Sequence, residues 1–174
     1  MSRGYVIWLT GISGSGKSTI AKLLKKGLES KLHDIHILDG DDIRDFFEGD
    51  LGYSHGERVM NVRRVAFAAS LLAEHGVLVI VANIAPYYEV RDFIRRKTKN
   101  YIQVYVKASL EEARRRDVKG LYGKYEKGEI KDIIGVDDEY EEPRSPDLIV
   151  DTVKEDPEKS TEKILGMLMK KRII

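Results

Sequence analysis

The sequence predicts an α/β fold: a three-layer arrangement in which a parallel five-stranded sheet has helices on both faces and a lid segment beside it. Three observations predict it. Short runs of β-forming residues alternate with stretches whose apolar positions recur at helical spacing. A glycine-rich stretch, Gly11-Ile12-Ser13-Gly14-Ser15-Gly16-Lys17-Ser18, separates the first run from the first helical stretch. Finally, the segment 118–146 has little periodicity, as expected of a long functional loop.

The elements follow in order. Residues 5–10, Tyr-Val-Ile-Trp-Leu-Thr, read as a strand buried on both faces. Ile20, Leu23, Leu24, Gly27 and Leu28 then share one helical face, with Lys22, Lys25 and Lys26 on the other. A second strand at 35–38 ends in Asp39-Gly40-Asp41-Asp42, and 59–74 is a long amphipathic helix closed by Gly76. The apolar run 77–82 reads as a central strand, Pro86 marks its exit, and 90–97 is helical. A fourth strand at 101–106 leads into a charged helix over 110–117. A fifth strand at 147–151 precedes a helix opened by Pro157, with Ile164, Leu165, Leu168 and Met169 on one side.

At 174 residues the chain suits one domain spanning 1–174. A formal charge of +1 argues against a protein that coats nucleic acid. With no cysteine, disulfides, thiolate metal sites and cysteine nucleophiles are excluded. Met1-Ser2-Arg3-Gly4 runs directly into the first strand, which leaves no room for a signal peptide, and no apolar run nears the roughly 20 residues of a membrane helix. A cytoplasmic location is the default expectation.

The glycine-rich stretch matches the phosphate-binding pattern G-x-x-x-x-G-K-[ST] in full, and its strand-then-helix setting is the one in which that pattern has meaning. Glycine lets the backbone turn its N–H groups inward around a triphosphate. Lys17 then reaches the β and γ phosphates and the Ser18 hydroxyl ligates Mg²⁺. The predicted architecture is therefore a P-loop NTPase fold.

In open parallel sheets ligands bind beyond the carboxyl ends of the strands, so the residues there form a set. They are the phosphate loop, Asp39 and Asp41, Asn83 to Tyr87, and the lid. Phosphoryl transfer needs an aligned nucleophile, cations and exclusion of water. Asp41 suits the acceptance of a hydroxyl proton, and Asp39 suits metal support, directly or through water. Either aspartate alternatively serves as the N-cap of a helix over 43–47. Arg44, Arg58, Arg63 and Arg64 are candidates for a substrate anion, although adjacent Arg63 and Arg64 point about 100° apart, so one belongs to the surface. Arg114, Arg115, Arg116 and Lys119 lead into the lid, where a cation can clamp ATP.

The chain closely resembles the adenylyl-sulfate kinases over nearly its whole length. The resemblance is carried by Leu38-Asp39-Gly40-Asp41-Asp42-Ile43-Arg44, Leu51-Gly52-Tyr53-Ser54, Arg58 with Asn61-Val62-Arg63-Arg64, Ala85-Pro86-Tyr87, Arg116-Asp117-Val118-Lys119-Gly120-Leu121-Tyr122 and Gly135-Val136-Asp137. It implies transfer of the γ-phosphate of ATP to the 3′-hydroxyl of adenosine 5′-phosphosulfate, with Mg²⁺, in a homodimer. By the same resemblance Asp41 and Lys17 are catalytic. ATP contacts Gly11, Ile12, Ser13, Gly14, Ser15, Gly16, Lys17, Ser18 and Thr19, with Arg116 by its adenine. Asp41, Arg44, Tyr53, Arg58, Asn61, Ile84, Ala85, Pro86, Lys119, Gly120, Leu121 and Ile133 hold the acceptor, and Ser18 and Asp39 the metal.

Four positions depart from the family pattern. Ala85 replaces a serine proposed in some members to carry a phosphoryl group, which leaves direct transfer. Ile133 stands where an aromatic residue often covers the substrate adenine, Asp42 replaces a frequent asparagine, and Ser70 a frequent lysine. Three rival readings share the loop: a kinase for another small alcohol, such as a sugar acid or nucleoside; a GTPase switch; and a non-catalytic nucleotide-binding module. The arginine set disfavours a neutral acceptor, and the guanine-specifying N-K-x-D pattern is missing.

Overall fold

The run ahead of the glycine motif forms β1 (Val6–Thr10), buried at every position, and passes through the motif into α1 (Lys17–Leu28) in the computed structural model. This structure describes residues 4–30, 32 and 34–174; the expected direct run-in at Met1, Ser2 and Arg3 lies outside the described residues. There follow β2 (Ile35–Asp39), α2 (Gly40–Phe46), α3 (His55–Glu74), β3 (Leu78–Ala82) and α4 (Tyr88–Lys97). The chain continues through β4 (Tyr101–Lys107), α5 (Leu110–Arg116), α6 (Leu121–Glu126), β5 (Leu148–Asp151) and α7 (Pro157–Lys170).

Among the described residues the strands form one five-stranded sheet in the order β2-β3-β1-β4-β5, and every pairing is parallel. Strand β1 lies in the middle, with Ile7 beside Ile80 on one side and Ile102 on the other. Its neighbours lead away in opposite directions along the sheet. A crevice therefore opens at its carboxyl end, where the glycine motif begins.

Alternation of side chains along the strands splits the core into two layers. Ile7, Leu9, Ile80 and Val104 pack against Ile20, Leu24 and Leu28 of α1 and Ile164 and Leu168 of α7. Val6, Trp8, Val79 and Val81 pack against Val62, Val65 and Ala69 of α3 and Val90 and Ile94 of α4. Trp8 is fully buried, and its Nε1 donates to the Asn83 carbonyl at 3.2 Å. Burying a side chain of this size contributes roughly 1.5–3 kcal/mol, and the bond removes the cost of its polar atom.

Two local expectations are corrected. Helix α3 begins at His55 rather than Val59, because Glu57 accepts from the Ser54 N–H at 3.0 Å, the reciprocal half of an S-x-x-E capping box. The segment 118–146 is not wholly irregular: it contains α6, whose start is held by Asp117, a carboxylate that accepts from the Tyr122 and Gly123 N–H groups. Among the described residues no helix is long and apolar enough to cross a membrane.

Candidate active site

The glycine motif is shaped by steric necessity. A Cβ on Gly11 would lie 2.3 Å from the Val106 carbonyl oxygen, and Gly16 caps α1 at φ 101°, a conformation that L-residues rarely adopt. Lys17 curls back over the loop and donates to the carbonyls of Gly11 at 2.7 Å and Ile12 at 2.8 Å. Burial, assisted by the Lys119 charge, pulls its pKa down to about 7, against the opposing pull of Asp39 and Asp41. An ammonium so short of countercharge is a ready partner for phosphate.

Asp39 is the N-cap of α2, which begins at Gly40 rather than at 43, and its second oxygen faces Ser18. Its Oδ1 caps α2 by accepting from the Asp41 N–H at 3.0 Å, and its Oδ2 accepts from the Ser18 hydroxyl at 3.1 Å. A hydroxyl beside a carboxylate is a hard-oxygen pair that fits Mg²⁺, so Ser18 and Asp39 are the residues that would hold it. Asp41 is not a cap. It lies in the first turn of α2 and pairs with the Lys119 ammonium, both side chains being more than half exposed. The lid cation and the candidate base are thus brought together from positions 78 residues apart.

A third group gathers around Tyr53. Tyr53 is 56% exposed, with the Arg44 guanidinium 4.6 Å and the Arg58 guanidinium 5.2 Å from its ring centre. Arg44 is aimed by bonds to the Leu51 and Gly52 carbonyls, and Arg58 by the Tyr53 carbonyl at 2.8 Å and Asp138 at 3.2 Å. Asn61 is buried on α3, with no partner for its Oδ1 among the described residues. Ile84 accepts from the Thr10 hydroxyl at 2.5 Å, and Pro86 accepts from the Glu141 N–H at 3.0 Å. Between them, buried Ala85 has φ +43°, the left-handed region, held by its N–H on Asn83 Oδ1 and its carbonyl on Arg91. Such strain collects where function fixes the backbone. Ile133 is buried in the α3-side core, Leu121 packs on that core, and Gly120 caps α6 at φ 66°.

Beside the phosphate loop Arg116 is fanned across Glu112 at 2.8 Å, the Gly14 carbonyl at 3.3 Å and Thr152 at 2.6 and 3.0 Å. Thr19 is exposed on the first turn of α1. The other arginines are not gathered here. Arg64 grips Asp50 with two 2.7 Å bonds, Arg63 lies 4.8 Å from the Phe93 ring centre, and Arg115 pairs with Glu112.

Several residues escaped sequence reasoning. Buried Thr152 donates to the Ser15 carbonyl at 2.9 Å and thereby ties β5 to the phosphate loop. It follows a strand directly, so the rule that selected Asp39 and Asp41 also covered it. The Tyr122 hydroxyl donates to the Ser13 carbonyl at 2.8 Å, an apolar-looking residue of the lid put to polar use. Arg91, only 4% exposed, gave no signal in a helix rich in charge.

This geometry can be set beside known proteins. The family model described as Adenylylsulphate kinase matches residues 3–151. The chain belongs to the adenylyl-sulfate kinase family. It is 43% identical over 166 residues to an adenylyl-sulfate kinase of Gloeothece citriformis, covering 95% of this chain and 94% of that one. Likeness to the Pseudomonas aeruginosa adenylyl-sulfate kinase is 43% over 168 residues, 95% of this chain and 86% of the relative. The solved Mycobacterium tuberculosis APS kinase in complex with AMPPNP and APS superposes with a TM-score of 0.91 at 36% identity, over 97% and 99% of the two chains. Membership makes this chain an ATP-dependent kinase and sets aside the GTPase and non-catalytic readings.

Proposed function

We propose that this chain, as a single kinase domain, transfers the γ-phosphate of ATP directly to the 3′-hydroxyl of adenosine 5′-phosphosulfate, giving ADP and 3′-phosphoadenosine 5′-phosphosulfate for sulfate assimilation. The observation that carries the reading is Asp41, held beside Lys119 and two residues from the Asp39 that bonds Ser18.

In this reading the triphosphate enters the loop from Gly11 to Thr19, and Lys17 leaves the Gly11 and Ile12 carbonyls to meet the β and γ phosphates. Ser18 and Asp39 hold Mg²⁺, which neutralises charge on the transferring group when bound. Arg116 lies against the ATP adenine. Arg44, Arg58 and Asn61 hold the phosphosulfate and sugar, Tyr53 stacks on the acceptor adenine, and Ile84, Ala85 and Pro86 form its floor. Ile133 supplies apolar contact without stacking, and Lys119, Gly120 and Leu121 close from the lid. Asp41 orients the 3′-hydroxyl and takes its proton. The Ala85 side chain is a methyl group with no oxygen, so no side-chain relay operates there.

The protein acts in the cytoplasm as a homodimer. The test is release of ADP from purified protein and ATP with a panel of acceptors. Turnover with adenosine 5′-phosphosulfate and none with sugar acids or nucleosides is expected; no turnover with it overturns the proposal. Phosphate trapped on residue 85 would contradict direct transfer.

A further inference from the structure

Helix α3 turns Met60, Arg63, Phe67, Leu71 and Glu74 to solvent, one stripe in steps of three and four residues. The outward stripe of a surface helix is ordinarily polar. Here its middle is apolar: Phe67 is 71% exposed, Leu71 47% and Met60 46%. These side chains are not the core face of the helix, which Val62, Val65 and Ala69 hold. The patch continues onto the end of α2. Phe46, 79% exposed, meets Phe47 edge to face at 5.3 Å, and Phe47 reaches α3 through Arg64, whose guanidinium lies 4.1 Å from its ring centre.

These five apolar side chains present on the order of 500 Å² of surface, taking roughly 150–250 Å² for each aromatic ring when fully bared. An apolar patch of that size with a polar rim marks a contact surface, and it is more than half of the roughly 800 Å² that each partner of a stable complex buries. The rim says what the partner is. Arg63 and Glu74 have no ion pair among the described residues; the Arg63 guanidinium rests 4.8 Å from the Phe93 ring centre instead. Eleven residues apart on one helix, the two point within about 20° of each other, one charge on each side of Phe67 and Leu71. A face with its cation at one end and its anion at the other is complementary to a copy of itself laid antiparallel.

We propose that this stripe joins two copies of the chain, α3 lying antiparallel on α3 about a two-fold axis beside residues 68 and 69. The register that sets Phe67 on the partner's Leu71 also sets Arg63 on the partner's Glu74, within a single residue. Apolar surface then covers apolar surface, and an ion pair closes each end. A parallel pairing would instead set Arg63 against its own copy, like charge on like. The proposal rests on the homodimer reading above and adds the surface that makes the dimer.

The test is sedimentation velocity of the full chain over a range of concentrations, with Phe67→Glu, Arg63→Glu, Glu74→Arg and the double variant Arg63→Glu/Glu74→Arg run beside the wild type. All three positions are exposed, and an unaltered far-ultraviolet spectrum and AMPPNP affinity control for folding. A dimeric wild type is expected. Phe67→Glu should weaken association about a hundredfold or more, since a two-fold contact feels each change twice. Each charge reversal alone should weaken it about tenfold, and the double variant should recover to near the wild type. A dimer that Phe67→Glu leaves intact overturns the interface while the homodimer stands. A double variant no tighter than the single ones overturns the antiparallel pairing. A wild type that stays monomeric at every concentration overturns the homodimer reading and this interface together, and leaves the face to a different protein.

Discussion

Lys119 and Asp41 form an ion pair that joins the start of the lid to the first turn of α2. Both side chains are more than half exposed, so the pair adds little to folding, at most about 0.5–1 kcal/mol. In the proposed reaction its importance lies in placing a cation beside the carboxylate that receives the proton. Lys119→Ala is expected to leave the melting temperature within about 2 °C, for a loss of that size. The KM for the acceptor should rise by about fivefold or more, the cost of a lost charge-assisted contact. Parallel melting curves and steady-state kinetics check both halves.

Asp41→Asn keeps the shape of the side chain and removes its basicity. General-base catalysis is worth about 10²- to 10⁴-fold, so kcat should fall by that factor while the KM for ATP stays near the wild-type value. Turnover followed by labelled γ-phosphate transfer decides it, and unaltered kcat removes Asp41 from the chemistry.

Thr152→Val replaces a hydroxyl that bonds Ser15 and Lys107 carbonyls and receives Arg116. The volume is kept, and the one hydroxyl donor and the oxygen that accepts from Arg116 are lost. Stability should drop by about 1–3 kcal/mol, and the affinity for ATP should fall more than that for the acceptor. Chemical denaturation and separate nucleotide titrations distinguish this from a general loosening, which would weaken both ligands alike.

The pair of arginines on Glu112 predicts the acid behaviour. Hydrogen bonds from Arg115 and Arg116 draw its carboxyl down from 4.5 to about 2. Between those values the unfolded chain binds the proton and the folded chain does not, so stability rises with pH there. The contribution is complete above about 4.5 and disappears as pH falls through about 2. In Glu112→Gln the slope of stability against pH across this window should be shallower than in the wild type, as read from urea midpoints at a series of pH values.

How much of this was legible before any coordinates can be judged from particular residues. Sheet and helices were legible because burial on both faces leaves continuous apolar runs such as 77–82, and because helical spacing is periodic. The start of α3 was missed although Ser54 and Glu57 spell a capping box, since the apolar pattern begins only at Val59. Asp39 was read as metal support or helix cap; a carboxylate has two oxygens, and it serves both neighbours. Arg91 and Thr152 were invisible for a different reason. Their partners are main-chain carbonyls of Ala85, Glu141 and Ser15, and a carbonyl carries no sequence signature.

The Lys17 ammonium resting on the Gly11 and Ile12 carbonyls also bears on selectivity among adenine nucleotides. Those two oxygens act as an internal rival for the site. A triphosphate offers the lysine two phosphates in exchange for them, whereas a monophosphate reaches neither and leaves the self-contact intact. In the proposed mode of binding, nucleotide entry is thus coupled to release of the lysine from its own loop.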